Sequence, residues 1–113
     1  MPSAPANSPN VVGRRMRSRR EDLGWPQEKV GVLIGIDESS SRARISRYEL
    51  GVHEPPVATA RLIAAALNVP LPYLYCEDDD IAALLLALNV LPATQRSEKI
   101  ALFAAVLASQ GSS

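Results

Sequence analysis

Residues 27–51 read QEKVGVLIGIDESSSRARISRYELG, and their periodicity decides how the chain folds. Val30, Leu33 and Ile34 recur at the i, i+3, i+4 spacing of one apolar helix face, and Gly35 follows as a stop. Gly31 lies inside this helix, where glycine costs ~1 kcal/mol against alanine. It therefore predicts a place where a neighbouring helix comes too close for a larger side chain. In the second helix, stepping about 100° per residue from Ile45 puts Ser41, Ile45, Tyr48 and Glu49 on one side, with Ala43, Ser46 and Arg47 opposite. The inner side thus contains a carboxylate. In a small core a carboxylate needs a fixed cation, and Arg20 in the preceding helix is the candidate.

Upstream, residues 1–9 (MPSAPANSP) hold three prolines and no charged side chain, the composition of a disordered arm. A first helix is predicted over 10–23, capped by Asn10 and ended by Gly24, with Val12, Met16, Arg20 and Leu23 on its inner side. Two solvated charges are the alternative to an Arg20–Glu49 pair; the inward position of both favours the pair. Five arginines crowd into GRRMRSRR at 13–20, where attraction for phosphate would be concentrated.

Downstream, Pro56 can open a helix whose inward stripe is Ala60, Ile63, Ala64 and Leu67, ending near Asn68. A short helix over 71–75 follows, with Leu71, Leu74 and Tyr75 as a lid on the core. The acidic run at 77–80 resembles a metal site on paper, but carboxylates ahead of an apolar helix are better read as complementing its dipole. Ile81, Leu84, Leu85 and Leu88 then form a stripe that leaves Leu86 outside it. After a break at 89–92, a last helix over 93–109 carries Ile100, Phe103, Ala104 and Leu107 on one stripe and Leu102 and Val106 on another. Apolar faces on several sides predict burial against a second chain.

The whole 113-residue chain has no net charge, yet the charge is sorted. Residues 10–51 hold nine Lys/Arg against six Asp/Glu, and residues 52–113 hold three against six. The single Cys76 excludes an internal disulfide and suits a reducing compartment. His53, the lone histidine, has no neighbouring ligand type that would make it a metal residue. No nucleophile–base arrangement is legible, so an enzyme is not expected, nor is any cofactor. No apolar run of the ~18 residues that span a bilayer is present, and a cytoplasmic location is expected.

The order Gln27-x-x-Val30-Gly31, then Ile34-Gly35-Ile36, then Ile45-Ser46-Arg47-Tyr48-Glu49-x-Gly51 resembles the Cro and lambda-repressor type of helix-turn-helix, the XRE family. Glu54 to Pro56, the Ala/Leu-rich helix and ALNVPLPYLY at 66–75 are similar to the family in the same order, so the resemblance covers roughly residues 11–75. It implies an all-α fold: a five-helix lambda-repressor-like DNA-binding domain over 10–76. A C-terminal helical dimerisation extension over 77–109 and a disordered tail over 110–113 complete the expected organisation. One departure stands out. Between Gly35 and Ile45 this chain has about four residues more than the family's usual turn, the surplus being Asp37, Glu38, Ser39 and Ser40. Either the turn is longer or the second helix gains a turn at its start; Asp37, Ser39, Ser40 and Ser41 are all competent caps.

The resemblance implies a sequence-specific reader of double-stranded DNA, a repressor acting as a homodimer on a pseudo-palindromic operator, with the second helix in the major groove. Arg42 and Arg47 are the candidates for base edges, since the arginine fork matches guanine O6 and N7, with Ala43 against a thymine methyl and Ser46 beside them. Gln27, Ser41 and Arg44 are assigned to phosphates, and Arg14, Arg15 and Arg17 more weakly so. For each arginine the alternative is a solvated surface charge. The family also implies a large apolar residue at Trp25 and a buried ion pair at the positions of Arg20 and Glu49. Val52 and His53 stand where relatives carry cations, which implies weaker anchoring to the DNA backbone. Leu84, Leu85, Leu88, Ile100, Phe103, Val106 and Leu107 are the expected dimer contacts. Two alternatives accompany this reading: a DNA-binding antitoxin whose last helices mask a toxin, and a protein-interaction adaptor using the same fold without DNA.

Overall fold

The computed structural model describes residues 10–111, which form seven helices and, among those residues, no strand. The expected arm at 1–9 and the end of the tail at 112–113 lie outside the described residues. Helix α1 (Val11–Leu23) starts where the Asn10 side chain accepts the Gly13 N–H at 2.8 Å and stops at Gly24, whose φ of 71° suits glycine. Helices α2 (Gln27–Leu33) and α3 (Glu38–Glu49) form the helix-turn-helix. They are followed by α4 (Val57–Leu67), α5 (Leu71–Tyr75), α6 (Asp79–Asn89) and α7 (Ala93–Gly111).

Val12, Met16, Val30, Ile45, Ile63, Leu67 and Leu74 are almost fully buried, with Ala60 and Ala64 allowing α4 to lie close to its neighbours. All four residues of the α4 stripe, Ala60, Ile63, Ala64 and Leu67, face inward, and Asn68 adopts the left-handed conformation at the helix end. Trp25 is half-buried against the core, and Lys29 lies over its ring at 4.2 Å from the centroid.

Expected inner positions are corrected in three helices. Leu33 is exposed because α2 ends there, and Ile34, in the turn, packs on the core in its place. In α5 it is Tyr73, not Tyr75, that is buried with Leu74; Tyr75 is on the open side of this one-turn helix. In α6 the inward stripe is Ala82, Leu85 and Leu86, continued by Asn89, whose amide donates to the Asn68 carbonyl at 2.9 Å. Leu86 is therefore on the stripe, while Ile81 and Leu84 are exposed. The small Ala82 sets this register because it is the only residue of α6 buried against the domain.

Helix α7 is different in kind. None of its 19 residues is buried, and it continues to Gly111, so residues 110 and 111, expected in the tail, are helical. Nine consecutive apolar residues at 100–108 (IALFAAVLA) are all exposed.

Candidate nucleic-acid interface

The site is organised by how closely α2 and α3 approach. Ser41 of α3 lies beneath Gly31 with no solvent exposure: a β-carbon at residue 31 would stand 2.7 Å from Ser41 Oγ and 2.9 Å from Ser41 Cα. The Ser41 hydroxyl donates to the carbonyls of Ile36 and Asp37 at 3.1 and 2.9 Å. The expected phosphate role of Ser41 is therefore corrected: its hydroxyl is turned inward and engaged, as its place on the inner side required. The open question of the insertion is also resolved. The turn occupies only 34–37, and Asp37 caps α3 by accepting the Ser39 N–H at 3.1 Å and the Ser39 hydroxyl. Those two hydrogen bonds hold the Asp37 carboxyl below its ordinary range, the hydroxyl contributing more. The surplus residues thus lengthen α3 by one turn at its start and leave the connecting turn short.

Behind α3, Glu49 is 3% exposed and receives three donors. Arg20 Nε and Nη2 bind its two oxygens at 2.7 and 3.0 Å, and Gln27 Nε2 reaches Oε1 at 3.1 Å. Arg20 Nη1 donates to the Trp25 carbonyl at 2.8 Å, so the guanidinium joins α1, the α1–α2 link and α3. Hydrogen bonding to Glu49 raises the already high Arg20 pKa, outweighing the opposing effect of burial. Gln27, expected on phosphate, has its side-chain amide committed to Glu49, because the start of α2 lies next to the end of α3.

With the inner side occupied in this way, the other side of α3 is exposed. Arg42, Ala43, Arg44 and Arg47 are exposed, and Ser46 is half-buried. By helical geometry Ala43 and Arg47 are central on this face, together with Ser40 of the added turn, while Arg42 and Arg44 flank it. Arg42 shares an open concavity of ≈ 380 Å³ with Pro26, Gln27 and Glu28 at the start of α2. Arg44 and Arg47 line a larger one of ≈ 690 Å³ with Val52, His53 and Pro56. The outward position of Ser40 escaped the sequence reading because four residues were competent to start the helix; only the Asp37 cap fixes its phase.

The basic run of α1 requires the largest correction. Arg15 is 7% exposed: its Nε donates to the Cys76 carbonyl at 2.8 Å, its Nη2 meets Asp79 at 2.9 Å, and the guanidinium lies over the Tyr73 ring. It cannot also serve a phosphate. Arg14 is drawn to the same carboxylate at 3.5 Å, Arg17 pairs with Glu21 one turn on at 3.1 Å, and Arg19 donates to the Leu67 carbonyl at 2.9 Å. The run is a set of braces from α1 to other elements, with only Arg17 spent on its own helix. A buried arginine of this kind has no signature in local sequence, since its acceptors lie 61 and 64 residues away.

The dimer candidates divide. Leu85 packs on the domain with Leu86 and is corrected, whereas Leu84, Ile100, Phe103, Val106 and Leu107 are exposed and Leu88 is half-buried.

This geometry, a short helix and turn presenting a second helix whose inner face is locked and whose outer face carries arginines, defines the helix-turn-helix class. The chain belongs to the XRE-type helix-turn-helix family: the family model described as helix-turn-helix matches residues 16–74, more than half its length. It is 36% identical over 64 residues to uncharacterized HTH-type transcriptional regulators of Sinorhizobium medicae (strain WSM419) and Rhizobium meliloti (strain 1021). Each match covers 57% of this chain but 43% of the relative, so the chain spans less than half the length of those proteins. It is also similar to the crystal structure of the transcriptional regulator BswR, with a TM-score of 0.78 and 36% identity over 87% of this chain and 97% of that one. The likeness therefore reaches beyond the helix-turn-helix into the C-terminal helices.

Proposed function

We propose that the protein is a sequence-specific, double-stranded DNA-binding transcriptional regulator, a repressor that acts in the cytoplasm as a homodimer on a pseudo-palindromic operator. One observation carries this reading: the exposed face of α3 presents Arg42, Ala43, Arg44 and Arg47, while the buried Arg20–Glu49–Gln27 cluster fixes that helix from behind. In the major groove, Arg47 and Arg42 would meet guanine edges, Ala43 a thymine methyl and Ser46 a neighbouring base, with Arg44 on phosphate. With the side chains of Ser41, Gln27 and Arg15 engaged internally, phosphate attraction rests on few cations and, at the start of α2, on free backbone N–H groups. Such a small footprint is consistent with a dimer reading two half-sites ~34 to 36 Å apart. The exposed Leu84, Ile100, Phe103, Val106 and Leu107 of α6 and α7, with the half-buried Leu88, are the proposed dimer contacts. The same exposed surface would serve an antitoxin holding a toxin, and co-purification of a second protein distinguishes that case.

The test is titration of the purified protein against the region upstream of its own gene and a scrambled duplex of equal length, at two salt concentrations. Salt-sensitive binding that prefers the upstream region supports an autoregulating repressor. Equal binding to both duplexes removes the autoregulating operator, and no salt-sensitive binding to either turns the reading toward the adaptor.

A further inference from the structure

The link between the helix-turn-helix unit and the C-terminal hairpin is three residues long, 76–78, and none of the three is helical. By itself such a link is a hinge. Beyond the link, α6 rests Ala82, Leu85 and Leu86 on the domain and Asn89 donates to the Asn68 carbonyl at 2.9 Å, whereas α7 buries no residue. At the link itself, what joins α6 to α1 is the Arg15 fork. Its Nε holds the Cys76 carbonyl on one side of the link at 2.8 Å, and its Nη2 holds Asp79 on the other at 2.9 Å. The guanidinium is itself fixed from a third direction by the Tyr73 ring, with its centroid 5.8 Å away. Asp79 also takes Arg14 at 3.5 Å, so two adjacent α1 cations converge on one carboxylate.

We infer that Arg15 and Asp79 are positioning residues that set the separation and angle of the two α3 helices in the dimer, by locking α6 to α1. This rests on the homodimer proposed above, in which α6 and α7 make the contact and α3 meets DNA. If the hairpins are joined and the hinge is free, each helix-turn-helix unit swings and the half-site spacing is lost as a criterion. If the hinge is locked, the dimer presents its two recognition helices at one fixed spacing before DNA arrives. The carboxylate acts here through the arginine and touches no base, and the buried arginine does no electrostatic work on DNA.

The experiment measures distances between copies in the full chain. A single spin label is placed at the exposed residue 61 (Arg61→Cys) in a Cys76→Ser background, and the inter-copy distance distribution is compared with and without Asp79→Ala. Asp79 is exposed whereas Arg15 is buried, so the carboxylate is the member of the pair whose removal leaves the packing of the fold intact. The width is expected to grow at least about twofold in Asp79→Ala and to narrow again in Asp79→Glu, with the dimer intact by sedimentation. An unchanged width in a persisting dimer overturns the positioning role alone. A chain that sediments as a monomer and gives no inter-copy distance overturns the homodimer, and this inference with it.

Discussion

Ser41 is seated directly under Gly31, and this contact sets the distance between the two helices of the DNA-reading unit. A methyl at residue 31 would press on the α3 backbone as well as on the serine side chain, so no rotamer change can make room. Gly31→Ala gains up to ~1 kcal/mol in helix propensity but forces α2 and α3 apart, at a cost of roughly 1–3 kcal/mol for overpacking. A net loss of stability in urea titration is expected. An alanine variant as stable as the parent would show that the helices separate freely.

Arg20→Ala removes the cation from a carboxylate that is 3% exposed and should cost ~3 to 5 kcal/mol in a denaturant titration. A loss below ~1 kcal/mol would mean that Glu49 behaves as a surface charge.

The α3 arginines should separate by role. Arg47→Ala is expected to cost ~1 to 3 kcal/mol on the operator and to relax base preference. Arg44→Ala should weaken all duplexes alike and flatten the salt dependence, whereas Arg15→Met, since Arg15 meets Asp79, should leave the salt slope unchanged. Equal weakening of random and operator DNA by Arg47→Ala would exchange the two assignments.

If the protein is the proposed homodimer, Phe103→Glu, which places a charge within the exposed apolar segment at 100–108, is expected to convert it to monomers in sedimentation, leaving the helix content unchanged. Persistence of the dimer would move the interface off α7.

Tyr73 gives a pH dependence at the alkaline end. Burial raises its phenol pKa above the usual 10.0, while hydrogen bonding from Ser18 and the charge of Arg15 pull the other way. The folded state therefore favours the neutral phenol. Its contribution is complete below pH 10.0 and is lost as pH rises through the folded pKa, because the unfolded chain ionises first. Melting curves should fall less steeply above pH 10.0 in Tyr73→Phe than in the parent; identical slopes would show that Tyr73 is not the group responsible.

The periodicity of residues 27–51 was enough to define the helix pair, the inward turn of Ser41, Ile45, Tyr48 and Glu49, and the close approach at Gly31. Those properties follow from the 3.6-residue repeat and from the absence of a β-carbon, which are local facts. The Arg20–Glu49 geometry was likewise legible, since two opposite charges on inner faces have few ways to be satisfied. Three things required the fold. The start of α3 depended on which of four competent caps met its N–H groups, and Asp37 did so in three dimensions. The duty of the α1 arginines depended on acceptors at Leu67, Cys76 and Asp79, brought near only by chain closure. The inward side of α6 depended on Ala82, because among many apolar residues periodicity ranks hydrophobicity while packing selects for size. Sequence fixes which side chains are drawn to one another locally; the long-range partners of a charge are decided by the path of the backbone that carries them.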